Sequence, residues 1–99
     1  MAHILVYLQR TTHGLHPGSA VALCLARDIG SDRGATVTAL CAGDAGPLDQ
    51  GIARAAAAYG ADVVLFTGPN GLEHMQTQLR PTHILTPWTA EGEAAVQGL

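Results

Sequence analysis

The chain contains no lysine. Five arginines are set against eight acids, for a formal net charge of −3. A nucleic-acid groove or an anionic membrane surface needs a basic patch, and five scattered arginines do not make one. Without lysine there is also no Walker-type phosphate loop, whose glycines lead into a Lys. Charged residues of both signs make up 13% of the chain, about half the usual share. No apolar run approaches the ~18 residues that span a bilayer. The start, Met1-Ala2-His3, lacks the basic segment and cleavage site of a secretory leader. Cys24 and Cys41 are isolated from each other in apolar contexts, which reads as two reduced core thiols rather than a disulfide or a metal pair. The expectation is a cytoplasmic protein without a membrane or nucleic-acid partner.

What is present fits one domain, residues 1–99. Hydrophobic residues reach 47%, and 17 of these residues are alanine. Leu, Ile, Val and Phe together number 23, enough for a globular core and too many for a disordered chain. A small domain has the most surface to solvate for its volume. A shortage of charge there implies apolar surface covered by another chain.

Along the chain, short apolar runs alternate with helical patterns. His3 to Leu8 is a continuous apolar run of strand length, as in a strand buried on both faces. Gln9 to Pro17 reads as a loop. Ser19 to Ile29 reads as a helix, with Val21, Leu25 and Ile29 on one face, Ala22 and Ala26 beside them, and Leu23 and Cys24 widening the arc. A helix this apolar is expected to be covered on more than one side. Gly30 fits the position just after its end. Ala35 to Ala42 is the second strand. Pro47 suits the first turn of a second helix, with Leu48, Ile52, Ala55 and Tyr59 on one face and Gly60 at its end. Asp62 to Thr67 is the third strand. Asn70 and Glu73 resemble a capping box that opens a helix with the stripe Leu72, Met75 and Leu79, stopped by Pro81. Thr82 to Thr86 is the fourth strand. Ala90 to Leu99 has helical composition, with Glu91 and Glu93 where the helix dipole favours acids.

This alternation predicts an α/β three-layer sandwich, a parallel sheet with helices on both faces. Such sheets bind ligands at the carboxyl ends of their strands, where the strand order reverses. If the first strand is central, the crevice lies between the loops after the first and fourth strands. Those loops carry Gln9, Arg10, Thr11, Thr12 and His13 on one side, and Pro87, Trp88 and Thr89 on the other. Gln9, Arg10, Thr11, Pro87, Trp88 and Thr89 are therefore the candidate nucleotide-binding residues. Arg10 is the one cation near the crevice, able to pair a phosphate or to sit solvated in its loop.

Other chemistries find little support. No G-x-G-x-x-G is present, and Gly43-Asp44-Ala45-Gly46 reads as a turn. The five histidines match no zinc spacing. No G-x-S-x-G elbow accompanies a Ser-His-Asp order. The only close carboxylates, Glu91 and Glu93, have a helix-start explanation. No catalytic residue is assigned, and the chain is not expected to be an enzyme. Trp88 has three open roles: covering the core edge, filling a partner interface, or stacking on a base.

Several stretches together resemble the N-terminal domain of electron transfer flavoprotein alpha subunits. Ile4-Leu5-Val6 opens the first strand, and Gly14-Leu15-His16-Pro17-Gly18-Ser19 is similar to the family's G-x-L-x-P-x-S entry to the first helix. Val37-Thr38-Ala39-Leu40 with Gly43 is similar to its second strand. Ala57-Ala58-Tyr59-Gly60-Ala61-Asp62-Val63-Val64-Leu65 is similar to its A-x-Y-G-A-D-x-V-L run. Ile84-Leu85-Thr86-Pro87 with Thr89-Ala90-x-Gly92 is similar to its fourth-strand exit and T-A-x-G helix start. The resemblance implies an adenine-nucleotide-hydrolase-like (HUP/Rossmann-like) fold with strand order 3-2-1-4, and a place in electron transfer beside a beta-subunit-like chain. In that family FAD sits mainly on a further C-terminal domain of the alpha subunit, which the 99 residues do not include, so the domain is expected to be a truncated one. Gln9 stands where an acid is common, and Glu91-Gly92-Glu93 lacks the aromatic and basic neighbours of T-A-F-G-[KR].

Three functions follow as expectations. The first is an alpha-like component that acts in electron transfer only with a flavin-carrying partner, binding no cofactor alone and reaching FAD through that partner. The second is a non-catalytic assembly module, as a homo-oligomer or with a beta-like chain. The third is a module binding AMP or ATP. For the contact roles the expected interface residues are Trp88, Val96 and Leu99, and an unblunted edge strand would add to them.

Overall fold

The computed structural model describes residues 2–97 and Leu99. Four parallel strands form the sheet: β1 (His3–Tyr7), β4 (Thr36–Ala42), β5 (Val63–Thr67) and β6 (His83–Leu85). A two-residue antiparallel ribbon, β2 (Arg10–Thr11) with β3 (Gly14–Leu15), follows the first strand. The helices are α1 (Pro17–Ser31), α2 (Asp49–Ala58), α3 (Gly71–Leu79) and α4 (Ala90–Gln97). Across the sheet the order is β5-β4-β1-β6. Counting only the strands of the parallel sheet, that is the expected 3-2-1-4.

Why β1 is central is legible in its side chains. Successive residues of a strand point to opposite faces, and every residue from Ile4 to Leu8 is buried. Ile4, Val6 and Leu8 join Ala22, Leu23 and Ala26 of α1 and Ile52 and Ala56 of α2 in one core layer. Leu5 and Tyr7 join Leu40 and Leu72 in the other, with Met75, Leu79, Ala95 and Val96 packed against them. The sheet therefore separates α1 and α2 from α3 and α4. The crossovers register Leu5 against Thr38 on one side and Ile84 on the other.

The structure corrects several local expectations. The segment after β1 is a β-ribbon rather than a plain loop, and Gly14 takes φ +119° in it. Gly30 lies inside α1, not beyond it. A Cβ there would stand 3.2 Å from the Ile4 Cδ1 and 3.3 Å from the Ala35 Cβ, so its role is close packing. Gly34, at φ +61°, makes the left-handed turn. Helix α1 buries Ser19, Ala22, Leu23, Ala26 and Gly30. Val21 and Leu25 face outward, 69% and 49% exposed, so α1 is covered on one side only. Small residues face the sheet because they let the helix approach closely. Pro47 lies in the turn before α2, not in its first helical position. Asn70 precedes α3 without a side-chain cap bond.

Candidate functional site

The crevice at the carboxyl ends of β1 and β6 is filled by the chain's own polar groups. The Gln9 backbone N–H donates to the Ser19 hydroxyl at 2.8 Å. The Thr89 hydroxyl donates to the Gln9 side-chain carbonyl at 2.6 Å. The same Thr89 oxygen accepts from the Gly92 N–H at 3.0 Å, which makes Thr89 the N-cap of α4. Pro87 is fully buried beneath this link. A Cβ on Gly18 would meet the Pro87 Cβ at 3.0 Å, and one on Gly92 would overlap the Pro87 carbonyl oxygen. The T-A-x-G helix start thus has a steric reason: only glycine lets α4 begin so close to the strand exit.

Arg10 is neither solvated nor free for a phosphate. Its Nε and Nη2 donate to the two Asp49 carboxylate oxygens at 2.8 and 3.0 Å, and Nη1 donates to the Ala42 carbonyl at 2.9 Å. The carboxylate also accepts from the Gly46 N–H at 3.0 Å. The Arg10 guanidinium, and then the Gly46 N–H, hold the Asp49 carboxyl below its ordinary value. The pair clamps the β-ribbon to the start of α2. Phe66 lies under the guanidinium, its ring centre 5.9 Å away.

The remaining candidates scatter. Thr11 turns its hydroxyl to the Gly14 carbonyl at 3.0 Å and stays in the ribbon. Trp88 is 103% exposed, so it covers no core edge. Val96 is half-buried, packed against the second core layer of its own chain. Leu99 is 40% exposed beside the second groove described below. Gln9 and Thr89 are the two predicted residues that the fold brings together, and they bind each other.

Among the described residues two grooves stand out on the surface. The first, about 730 Å³, lies between the ribbon, α1 and α2, and is lined by residues that include Leu15, Val21, Cys24, Leu48, Ile52 and Tyr59. Its lining has no acid and no arginine. Sequence periodicity put Leu48, Ile52, Ala55 and Tyr59 on one face of α2, but only Ile52 and Ala56 are buried. Leu48 and Tyr59 remain exposed beside the groove. The second groove, about 350 Å³, lies between α3 and α4 near the carboxyl end of β1, and its lining carries Tyr7, Glu73, Glu91 and Leu99. There the Tyr7 hydroxyl donates to Glu91 at 3.0 Å. Burial first, then this bond and the Glu91 charge, push the Tyr7 phenol up to about 12. Its proton stays in place at neutral pH.

His3, His16 and His83 have side-chain hydrogen-bond partners. His16 accepts the Gly18 N–H through Nδ1 at 2.8 Å and caps α1. His3 Nε2 meets the buried Thr38 hydroxyl at 2.6 Å. Among the described residues no His, Cys, Asp and Glu group could hold a metal. Cys41 is buried in the core, and desolvation raises its thiol. Cys24 is half-buried in the first groove.

The profile of the electron transfer flavoprotein domain matches residues 4–98. The chain belongs to this family. No curated protein matches it in sequence. Among solved structures, a universal stress protein in complex with cAMP aligns with a TM-score of 0.56 at 15% identity, covering 84% of this chain and 69% of that one. At that identity the likeness establishes the fold alone: the Rossmann-like three-layer α/β sandwich of the adenine-nucleotide-hydrolase-like class. The family and the fold raise the question of a flavin or adenine nucleotide. The linings of these two grooves do not fit one. No Arg lines either groove, Glu73 and Glu91 face the second, and a pyrophosphate needs cations or converging N–H donors.

Proposed function

We propose that this chain is an alpha-like component of an electron transfer flavoprotein-type assembly, one that works in electron transfer only together with a flavin-carrying partner. Its own contribution is contact surface. The groove between α1 and α2, with no acid or arginine in its lining and with Val21, Leu48 and Tyr59 exposed along it, together with exposed Leu25 on α1, carries this reading. Exposed apolar patches of this kind mark interaction surfaces rather than ordinary solvated faces. Trp88, fully exposed beside a buried proline, adds an anchor of the type enriched at interface hot spots. The expected partner is a beta-like chain. Two free cysteines support a reducing cytoplasm as its compartment.

The test is co-purification with a candidate beta-like chain, reading the complex's mass and its visible flavin absorbance. A yellow complex is expected, and substitution of Val21 and Leu25 by Ser should dissociate it. A colourless complex would instead favour the assembly-module reading without redox chemistry. The adenine-nucleotide reading requires the Gln9–Thr89 bond to open. Calorimetry with AMP and ATP tests it, and no heat of binding is expected.

A further inference from the structure

The two edges of the sheet are built differently. Edge strands present rows of unpaired N–H and C=O groups, and proteins blunt them with charges, proline, bulges or short length. Strand β6 has three residues, so brevity blunts that edge. Strand β5, Val63–Thr67, has five residues in continuous register with β4 from Val63 to Thr67. It holds no charge, no proline and no interruption of that register. Among the described residues nothing pairs with its outer side. Val63 and Phe66, near its two ends, are 42% and 40% exposed.

We propose that β5 pairs antiparallel with β5 of a second copy of this chain, about a two-fold axis through Leu65, joining two four-stranded sheets into one of eight. Extended backbone matches the whole row of free groups at once, which points to a strand as the occupant. The side chains argue for a second copy. With Leu65 opposite Leu65, Val64 falls opposite Phe66 and Val63 opposite Thr67. The first is an aromatic against a β-branched residue, a stabilising cross-strand pair. The second sets two β-branched residues together. Asp62 falls outside the paired stretch, its carboxylate held by the Val37 N–H at 2.8 Å, so no like charges meet. A self-complementary strand closes as a two-fold dimer. The pairing leaves Trp88, on the β6 side of the sheet, free for a different chain, and it stands independently of the flavin reading.

The experiment is light scattering on the whole chain at micromolar concentrations, with circular dichroism to confirm folding. Twice the 10.2 kDa chain mass is expected. Val63→Lys with Thr67→Lys places two lysines opposite each other twice and should weaken the dimer by about 100-fold or more. Val63→Lys with Thr67→Glu alters the same positions but pairs opposite charges, and should restore the dimer. In a Cys24→Ala background, Leu65→Cys should cross-link to itself under mild oxidation, because directly opposed Cα atoms lie about 4.5–5.5 Å apart. Val64→Cys should not. A monomeric wild type, a dimer indifferent to the two lysines, or equal cross-linking at positions 64 and 65 would each overturn the proposal. The rescue by charge reversal keeps the test valid if the double-lysine chain folds poorly.

Discussion

Two concave regions of this molecule sit on either side of the N-terminal half of α1, and they have opposite character. On one side, the strand-exit crevice of β1 and β6 is where an open α/β sheet ordinarily takes its ligand. Here it is dry of opportunity: Ser19, Gln9, Thr89 and the Gly92 N–H hydrogen-bond in series across it, over a buried Pro87. On the other side, the α1–α2 groove has no acid or arginine in its lining and leaves large apolar side chains in water. The fold's customary binding place is crossed by the chain's own hydrogen bonds, while the exposed apolar surface lies on a helix face. A shared fold locates where a site can be; the local side chains decide whether it is one.

The sharpest way to break this contrast is to force the crevice open. Gly92→Val puts a side chain where the Pro87 carbonyl stands, against backbone that cannot rotate away, and should destabilise the fold by about 3–5 kcal/mol in denaturant unfolding. Leu23→Ala removes a fully buried side chain from beneath the open side and should lose about 2–5 kcal/mol in the same measurement. Thr89→Val deletes both the α4 cap and the link to Gln9, at about 1 kcal/mol. If that variant acquired affinity for AMP in calorimetry, the bond would be a latch and the crevice a gated site, so the contrast would fail.

Smaller effects sharpen it. The Arg10–Asp49 clamp ties the β-ribbon to α2, and its dependence on pH has a definite sign. Asp49's folded pKa is depressed, so the stability it contributes is present above the unfolded carboxyl value of about 3.9 and is lost as pH falls through the lower folded value. Thermal melts of wild type and Asp49→Asn should converge toward acid and separate near neutrality. Trp88→Ala should change stability by less than about 0.5 kcal/mol, since the indole touches little of its own chain. In a complex with the partner the same substitution should weaken affinity measurably by titration. A stability loss instead would return Trp88 to the core edge.

Much of the fold was legible from residue pattern. Burial of β1 on both sides shows as an unbroken run, Ile4 to Leu8, and the stripe Leu72, Met75 and Leu79 shows which side of α3 meets the sheet. Helix α1 was harder. Apart from Leu23, its inward residues, such as Ala22 and Ala26, are smaller than its outward ones, Val21 and Leu25. Periodicity weighted by hydrophobic size therefore selects the wrong face when close helix–sheet approach rewards small residues. The Gln9–Thr89 contact spans 80 positions; both residues carried a signal, as loop ends at a shared crevice, but not the fact that they would bond. Asp49 had none, because a carboxylate in a helix's first turn already has a sufficient local explanation in the dipole. Its pairing with Arg10 exists only because the ribbon folds back over α2.

By itself the sequence determined the class of the protein. Alternating strands and helices with short connections admit few topologies, glycines stand where backbone must approach backbone, and a chain without lysine makes no basic cradle. Only the tertiary structure decided what the crevice does and which surfaces stay open. Those outcomes depend on side chains far apart in sequence competing for the same hydrogen bonds and the same buried area. The missing charge noted at the outset could be counted along the chain, but where the uncovered apolar surface lies, on the outer side of α1, around the groove and along β5, is settled by packing alone.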